Sequence, residues 1–243
     1  MSEQTIFKRY EIKYMLNKAQ YMKLKELLKI YTIADVHGKS TICSLYFDTP
    51  DYLLIRRSLE GPLYKEKLRL RSYGVANSES QVFIELKKKY EGVVYKRRVE
   101  MRESEASQFL LERKREKDSQ ILREIDYCLD RYEELAPACL LTYSRRAYYG
   151  KDNPDFRITF DDNILWRDYD LNLHSGIYGE AILEPDSILM EIKVSDHIPL
   201  WLVHFLSENH IYKTSFSKYG SAYKTMKAKK LTELTMEGMK RYA

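Results

Sequence analysis

Cysteine is scarce in this 243-residue chain and poorly placed for chemistry. Cys43, Cys128 and Cys139 are odd in number and isolated, so their spacing gives neither a disulfide framework nor a thiolate metal site. A reducing interior suits them better than export, and Cys43 and Cys139, in strand-like contexts, read as small core residues. Long apolar runs are missing too. No stretch approaches the ~18 uncharged apolar residues of a membrane span, and Met1-Ser2-Glu3-Gln4 lacks the basic-then-apolar run of a signal peptide. A soluble, cytoplasmic protein is therefore expected. The five histidines, His37, His174, His197, His204 and His210, show no metal-ligand spacing, and no serine–histidine–acid arrangement offers a nucleophile. There is no internal repeat or low-complexity tract. Nor does one sign of charge dominate: 41 basic against 36 acidic residues leaves +5, too little to mark a nucleic-acid binder by bulk charge. The basic stretch from Lys224 to Lys230 has two readings, contact with anionic lipid or a solvent-facing helix end.

What the chain does have is charge in phase. In Lys65-Glu66-Lys67-Leu68-Arg69-Leu70-Arg71 the period of 2 points Lys65, Lys67, Arg69 and Arg71 to one face of a strand. Four cations in a row repel one another and give up sheet propensity, which folding alone does not ask for. The pattern recurs: Arg9, Glu11 and Lys13; Glu85 and Lys87; Lys96 and Arg98; Tyr143 and Arg145; Arg157, Thr159 and Asp161; Glu191 and Lys193. For a single antiparallel strand a wet charged face is ordinary. Seven such segments, nearly all mixing Arg or Lys with an occasional carboxylate, point to a bound polyanion. The 21 tyrosines read as strand packing that also offers hydroxyls.

Local signals place these segments. Asn17 is an N-cap for a helix through Tyr31, with Tyr21, Leu24, Leu27 and Leu28 as its apolar stripe. Strands are expected at 41–47 and 63–73, with a hairpin of 81–89 and 93–100 turning at Tyr90-Glu91-Gly92. Ser104 is expected to cap a helix near 105–116, and a second follows at 119–134. Strands return at 139–149, 155–161, 163–169 and 187–195, with a loop at 170–186. Pro199 opens a helix through Glu208, and a last helix runs from Ser217 toward Lys230. This order predicts an α+β, largely antiparallel fold occupying residues 1–243 as a single domain. Either an open sheet turns its charged face to water, or the sheet closes and the charges line a lumen. In the closed form helices would cover the apolar outside, and Glu11, Glu85, Asp161 and Glu191 would offset buried cations or offer oxygen ligands to a hard divalent ion.

At these residues the chain resembles the VTC-type polyphosphate polymerase domain, a branch of the triphosphate tunnel metalloenzymes that include the CYTH phosphatases. The resemblance rests on Arg9-x-Glu11-x-Lys13-Tyr14, Tyr46-Phe47-Asp48-Thr49, Lys67-Leu68-Arg69-Leu70-Arg71-x-Tyr73 and Glu85-Leu86-Lys87. It continues through Tyr143-x-Arg145-x-Ala147-Tyr148, Arg157-x-Thr159-x-Asp161, Glu191-x-Lys193 and Ser217-Lys218-Tyr219. It implies a closed antiparallel β-barrel, helices packed outside, that binds a chain of phosphates with Mn²⁺ or Mg²⁺ on one wall. In the yeast-like members the terminal phosphoryl of ATP passes to growing polyphosphate. The roles implied are Lys13, Lys87, Lys218 and Arg145 at the transferred phosphoryl, and Lys67, Arg69, Arg71, Lys96, Arg98, Arg157 and Lys193 on the substrate. Glu191, with Glu11 and Glu85, would hold the metal; pairing with arginines is the rival role for Glu11 and Glu85, and for Asp161 a structural partnership is expected. CYTH members begin with two alternating glutamates, whereas Arg9 takes the first place here, which favours the VTC branch. ATP or another triphosphate and polyphosphate are the expected partners, with no nucleic acid. Eukaryotic versions carry an inositol-phosphate-sensing domain and a membrane anchor, so a soluble polymerase, or one that borrows both from a membrane-protein partner, is expected. Hydrolysis of triphosphate, or polyphosphate binding without catalysis, would use the same cations. No feature sets an oligomeric state.

Overall fold

The computed structural model describes residues 10–91 and 93–241. The strands are β1 (Tyr10–Asn17), β2 (Thr32–Asp48), β3 (Tyr64–Tyr73), β4 (Gln81–Tyr90), β5 (Val93–Arg102), β6 (Ala136–Gly150), β7 (Arg157–Arg167), β8 (Glu180–Ala181), β9 (Ser187–Val194) and β10 (Lys213–Thr214). The helices are α1 (Lys18–Tyr31), α2 (Leu53–Glu60), α3 (Glu103–Glu112), α4 (Gln120–Arg131), α5 (Leu200–Glu208) and α6 (Lys218–Arg241). All pairings are antiparallel and join the strands in the order β10-β1-β9-β7-β6-β2-β3-β4-β5, with β8 added on β7.

The closed barrel expected from the resemblance is not formed. The sheet is open: β5 and β10 end the path and do not pair with each other. The cause lies at the β1 edge. There the partner strand is two residues long, and the chain then leaves the sheet to begin α6. The sheet nevertheless curls. In a flat sheet β1 and β4, six positions apart, would lie roughly 29 Å from each other at the usual ~4.8 Å strand spacing. Instead Lys87 Nζ stands 3.7 Å from Glu11 Oε2. Side chains, not backbone ladders, cross between the two halves.

Alternation then sorts the residues. The convex face is apolar and buried under helices. Leu68, Leu70, Val82, Ile84 and Leu86 pack with Phe109 and Leu110 of α3 and Leu122 and Ile125 of α4. Ile158, Phe160, Met190 and Ile192 pack with Leu24 and Leu28 of α1 and Leu202 and Phe205 of α5. The concave face carries the phased charges. Across part of it lies α6, whose Tyr219, Ala222 and Met226 bury Tyr46, Leu141 and Trp166.

Local chemistry explains most boundaries. Asn17 accepts from the Gln20 backbone at 2.8 Å while the Gln20 side chain accepts from the Asn17 backbone at 3.0 Å, a reciprocal cap that fixes the start of α1. Ser119 caps α4 as its hydroxyl suits, which ends at Arg131 rather than 134. The helix expected at 105–116 begins at Glu103, after Arg102, and stops where Arg113 turns left-handed (φ 61°). The strand expected at 41–47 starts at Thr32, and those at 155–161 and 163–169 form one strand, β7, broken in register near Asn163 (φ 50°). Helix α2 was not anticipated. Phe7, Lys8 and Arg9 lie outside the described residues.

Candidate functional site

The concave face is one continuous surface of polar contacts. Arg69 donates to Tyr46 Oη at 2.9 Å, Arg71 to Ser44 Oγ and Tyr143 Oη at 3.2 Å each, and Arg145 reaches Asp161 on β7 and Glu191 on β9. Arg69, Arg71, Arg145 and Glu191, on three different strands, therefore share one side.

Two charge centres stand out. In the first, on β3–β4–β5, the single carboxylate Glu85 is 1% exposed and surrounded by cations. Arg69 binds it at 2.6 Å, Lys96 at 2.6 Å, and Arg71 and Arg98 at 3.6 Å. Burial works against the ionised form, but the charges of Arg69, Arg71 and Lys96 outweigh it and hold the carboxyl far below its ordinary range. Burial also lowers the Lys96 ammonium, despite Glu85.

In the second, on β1, β9, β7 and β6, carboxylates and cations interleave. Arg145 grips Asp161 through two bonds of 2.6 and 2.7 Å and reaches Glu191 at 3.2 Å. Lys218, arriving from α6, bridges Asp161 at 2.6 Å and Glu191 at 2.9 Å. Lys13 stands 3.5 Å from both Glu191 and Glu11, and donates to the Phe216 carbonyl at 3.0 Å. The desolvated Glu191 carboxyl is held well below its usual value by Lys218, Lys13 and Arg145, and the Lys218 ammonium is raised by Glu191 and Asp161 against its own burial. Glu11 is lowered too, because Lys87 and Lys13 outweigh its burial and the nearby charge of Glu191.

Between the centres are cations with no carboxylate of their own. Lys67 donates to Ser217 Oγ at 3.5 Å and has no carboxylate partner among the described residues, and its ammonium is lowered to about 8 by burial and by Lys87, Lys13 and Lys65. Lys193 forms no hydrogen bond or ion pair among the described residues; burial, Arg145 and Lys87 bring it to about 8 although Glu11 and Glu191 lie near. Tyr46 is buried, yet Arg69, Arg71 and Lys67 draw its hydroxyl down to about 8. At the β6–β7 rim Arg157 lies over the Tyr149 ring, 3.8 Å from Asp35, and its buried Nε has no hydrogen-bond partner among the described residues.

Lys13, Arg145 and Lys218 thus meet at Glu191, with Lys87 joined through Glu11. Arg69, Arg71, Lys96 and Arg98 meet at Glu85, and Lys67 and Lys193 lie between. Asp161 is fully buried in the second centre as a partner of Arg145 and Lys218. Sequence reasoning gave no role to Ser44, Tyr46 or Asp35. The first two were findable: they share the phase of the 41–47 strand, and period 2 sets them on one side.

Among the described residues no three His, Cys, Asp or Glu side chains form a ready-made metal cage. The donor chemistry of Glu191 and Glu11 still fits a hard divalent ion, since Mg²⁺ is commonly held by one or two carboxylates together with substrate phosphates. Glu85 does not fit this role, because cations crowd both its oxygens.

The VTC domain family profile matches residues 8–227, and the chain belongs to that family. This places it in the VTC/CYTH-like triphosphate tunnel metalloenzyme superfamily, whose membership supports a phosphotransferase or hydrolase function in general. No curated protein matches the chain. Among solved structures it is similar to a Bacillus halodurans protein provisionally assigned as an adenylate cyclase, with TM-score 0.55 and 15% identity over 87% of this chain and 94% of that one. It is also similar to a Hippeastrum protein, provisionally an adenylyl cyclase and described as having a dominant triphosphatase activity. That match has TM-score 0.51 and 17% identity over 86% of this chain and 92% of the other. These likenesses concern the fold. Among the described residues no helix is long and apolar enough to cross a membrane.

Proposed function

We propose that the chain extends polyphosphate by transferring the terminal phosphoryl of ATP, within a single domain whose concave face holds both substrates. The observation that carries this is the excess of cations over carboxylates on one face: among the described residues Lys67 has no carboxylate partner, Lys193 forms no hydrogen bond or ion pair, and Arg157 Nε has no hydrogen-bond partner. An anionic chain supplies what they lack.

Phosphoryl transfer asks little covalent chemistry of a protein and much positioning and charge neutralisation. Arg69 and Arg71 present forks to phosphate oxygens, braced by Glu85, Tyr46, Ser44 and Tyr143 so that little rotamer freedom is lost on binding. Lys96 and Arg98 extend that grip, and Arg157 serves the rim. Lys67 and Lys193, whose ammonium groups are lowered to about 8, are held in the charged form as a phosphate chain arrives beside them. Lys13, Lys87 and Arg145 bear on the transferred phosphoryl, and Lys218 neutralises charge there from α6. Mn²⁺ or Mg²⁺ held by Glu191 and Glu11 would add charge neutralisation at phosphate oxygens.

Hydrolysis is the second reading, favoured by the triphosphatase activity described for the Hippeastrum protein of similar fold. Purified protein incubated with ATP and Mn²⁺, with ADP, free phosphate and long-chain product resolved together, separates the two. ADP with acid-insoluble polymer is expected. Stoichiometric free phosphate without polymer would make the protein a triphosphatase, and polyphosphate binding without turnover would leave a binding module.

A further inference from the structure

Helix α6 brings Lys218 to Asp161 and Glu191, and in the concave face only the flexible Lys218 side chain and the Tyr219–Tyr46 stack oppose a turn of the helix about its own axis. The apolar contacts of Ala222 and Met226 set its depth, and such contacts are non-directional. A short backbone-anchored contact holds the rotation from the opposite side, at the corner between β2 and α2. Asp48 ends β2 and is 1% exposed. Its Oδ1 accepts from the backbone of Thr49 at 2.9 Å and of Leu54 at 2.8 Å; its Oδ2 accepts from the backbone of Ile55 at 3.0 Å. The residue at the N-cap position of α2, Tyr52, is left-handed (φ 58°) and makes no capping bond, so Asp48 does the capping from outside the helix. One further donor reaches Asp48 Oδ2, the Tyr219 hydroxyl at 2.9 Å.

Tyr219 follows Lys218, and successive helical residues are set about 100° apart. Any turn of α6 that frees the Tyr219 hydroxyl swings Lys218 by the same angle, away from the 2.6 and 2.9 Å contacts it makes. The surroundings bind the two helices together. A Cβ on Gly220 would meet Leu59 Cδ2 of α2 at 2.9 Å, so the two helices approach closely there, and the rings of Tyr52 and Tyr223 lie 5.3 Å apart. Tyr219 also stacks on Tyr46 at 4.7 Å, and Tyr46 in turn receives the Arg69 hydrogen bond. The corner thus touches both charge centres through one residue.

We propose that Asp48 and Tyr219 are positioning residues: their bond seats α6 on α2 and so aims Lys218 at Asp161 and Glu191. This rests on the reading of Lys218 as a phosphoryl-facing group. Neither residue touches substrate in this scheme.

Tyr219→Phe keeps the ring, its burial and its stack on Tyr46, and removes only the hydroxyl. Two measurements test the proposal on the folded, full-length protein. The first is the rate at which an amine-acylating reagent labels Lys218, followed by mass spectrometry. Tyr219→Phe, and independently Asp48→Asn, should raise it severalfold while labelling of Lys13 and Lys67 is unchanged. The second is turnover of ATP or tripolyphosphate with Mn²⁺. Tyr219→Phe should lower kcat about tenfold, the worth of one hydrogen bond to a charged group, with little change in KM. In a Lys218→Ala background the same change should cost nothing further. Unchanged Lys218 labelling in both Tyr219→Phe and Asp48→Asn overturns the proposal, as does an equal kcat loss with and without Lys218. If the wild-type protein shows no turnover with any triphosphate, the functional reading fails and labelling alone decides the positioning claim.

Discussion

The two charge centres of the concave face use the same residue types to opposite effect. On β3–β4–β5 one buried carboxylate, Glu85, is shared by Arg69, Arg71, Lys96 and Arg98. On β1–β9–β7–β6 three carboxylates, Glu11, Glu191 and Asp161, alternate with Lys13, Arg145 and Lys218. The first centre is strongly positive and braced, suited to holding an anion that stays put. The second is close to balanced, with ammonium groups bridging pairs of carboxylates, and a phosphoryl group or a metal ion can exchange with those bridges. An arginine fork is planar and always charged, whereas a lysine is a mobile point charge. The arginine-rich centre would grip and the lysine-rich centre would react.

The comparison is broken most severely by removing the lone carboxylate of the first centre. Glu85→Gln leaves the buried Arg71 and the part-exposed Arg69, Lys96 and Arg98 without their counter-charge, and stability should fall by about 3 kcal/mol, the low end for breaking a buried pair. Tripolyphosphate should recover more of the melting temperature in the variant than in the wild type, since the ligand replaces the missing anion. Equal ligand-induced shifts in the two proteins would mean that Glu85 and the ligand do not share the same cations.

In the second centre the matching change, Glu191→Gln, should act on turnover. The loss expected is about 10²–10³-fold, the usual effect of removing one preorganised electrostatic group. Tripolyphosphate binding without metal should survive or tighten, because a negative charge is gone. Full turnover of the Gln variant across a Mn²⁺ titration would reduce Glu191 to a structural counter-ion.

Arg71→Ala sharpens the contrast from the binding side. It removes donors to Ser44 and Tyr143 as well as the partner of Glu85. Tripolyphosphate affinity measured by calorimetry should drop by about 1.5–3 kcal/mol, the worth of charged hydrogen bonds. Unchanged affinity would remove the first centre from the binding surface.

Much of this was legible in the residues, and for a specific reason. Period 2 is rigid, so charges in phase on separate strands had to share a face wherever the strands lay in one sheet. That carried Arg69, Arg71, Arg145 and Glu191 to one surface without any knowledge of strand order. Closure was not legible, because it depends on what pairs at the two edges, and β10 is only two residues with no pattern of its own. Helix α2 escaped because Asp48-Thr49-Pro50 reads as a stop. The same aspartate caps a helix that begins five residues later, across a left-handed Tyr52. The split of seven segments into two centres was hidden too, since it follows from which strands curl toward each other.

The smallest effect expected is the one that joins the two centres, and pH reveals it. Lys67 and Lys193 lie between them with ammonium groups lowered to about 8, from burial first and neighbouring cations second. A lysine near 10.4 in the unfolded chain that titrates near 8 when folded binds fewer protons folded than unfolded between those values. Stability of the free protein should therefore rise as pH climbs from about 8 toward 10 through these two groups. Affinity for tripolyphosphate should move the other way, weakening over the same interval as both ammonium groups lose their charge, by about tenfold or less. Replacing both lysines with methionine keeps their bulk and removes the titration. In that variant both slopes should flatten, with affinity at pH 7 already lowered. If the wild-type affinity instead holds level from pH 7 to 9.5 in calorimetry, the lysines between the centres do not meet the phosphate chain, and the face divides into two independent sites rather than one.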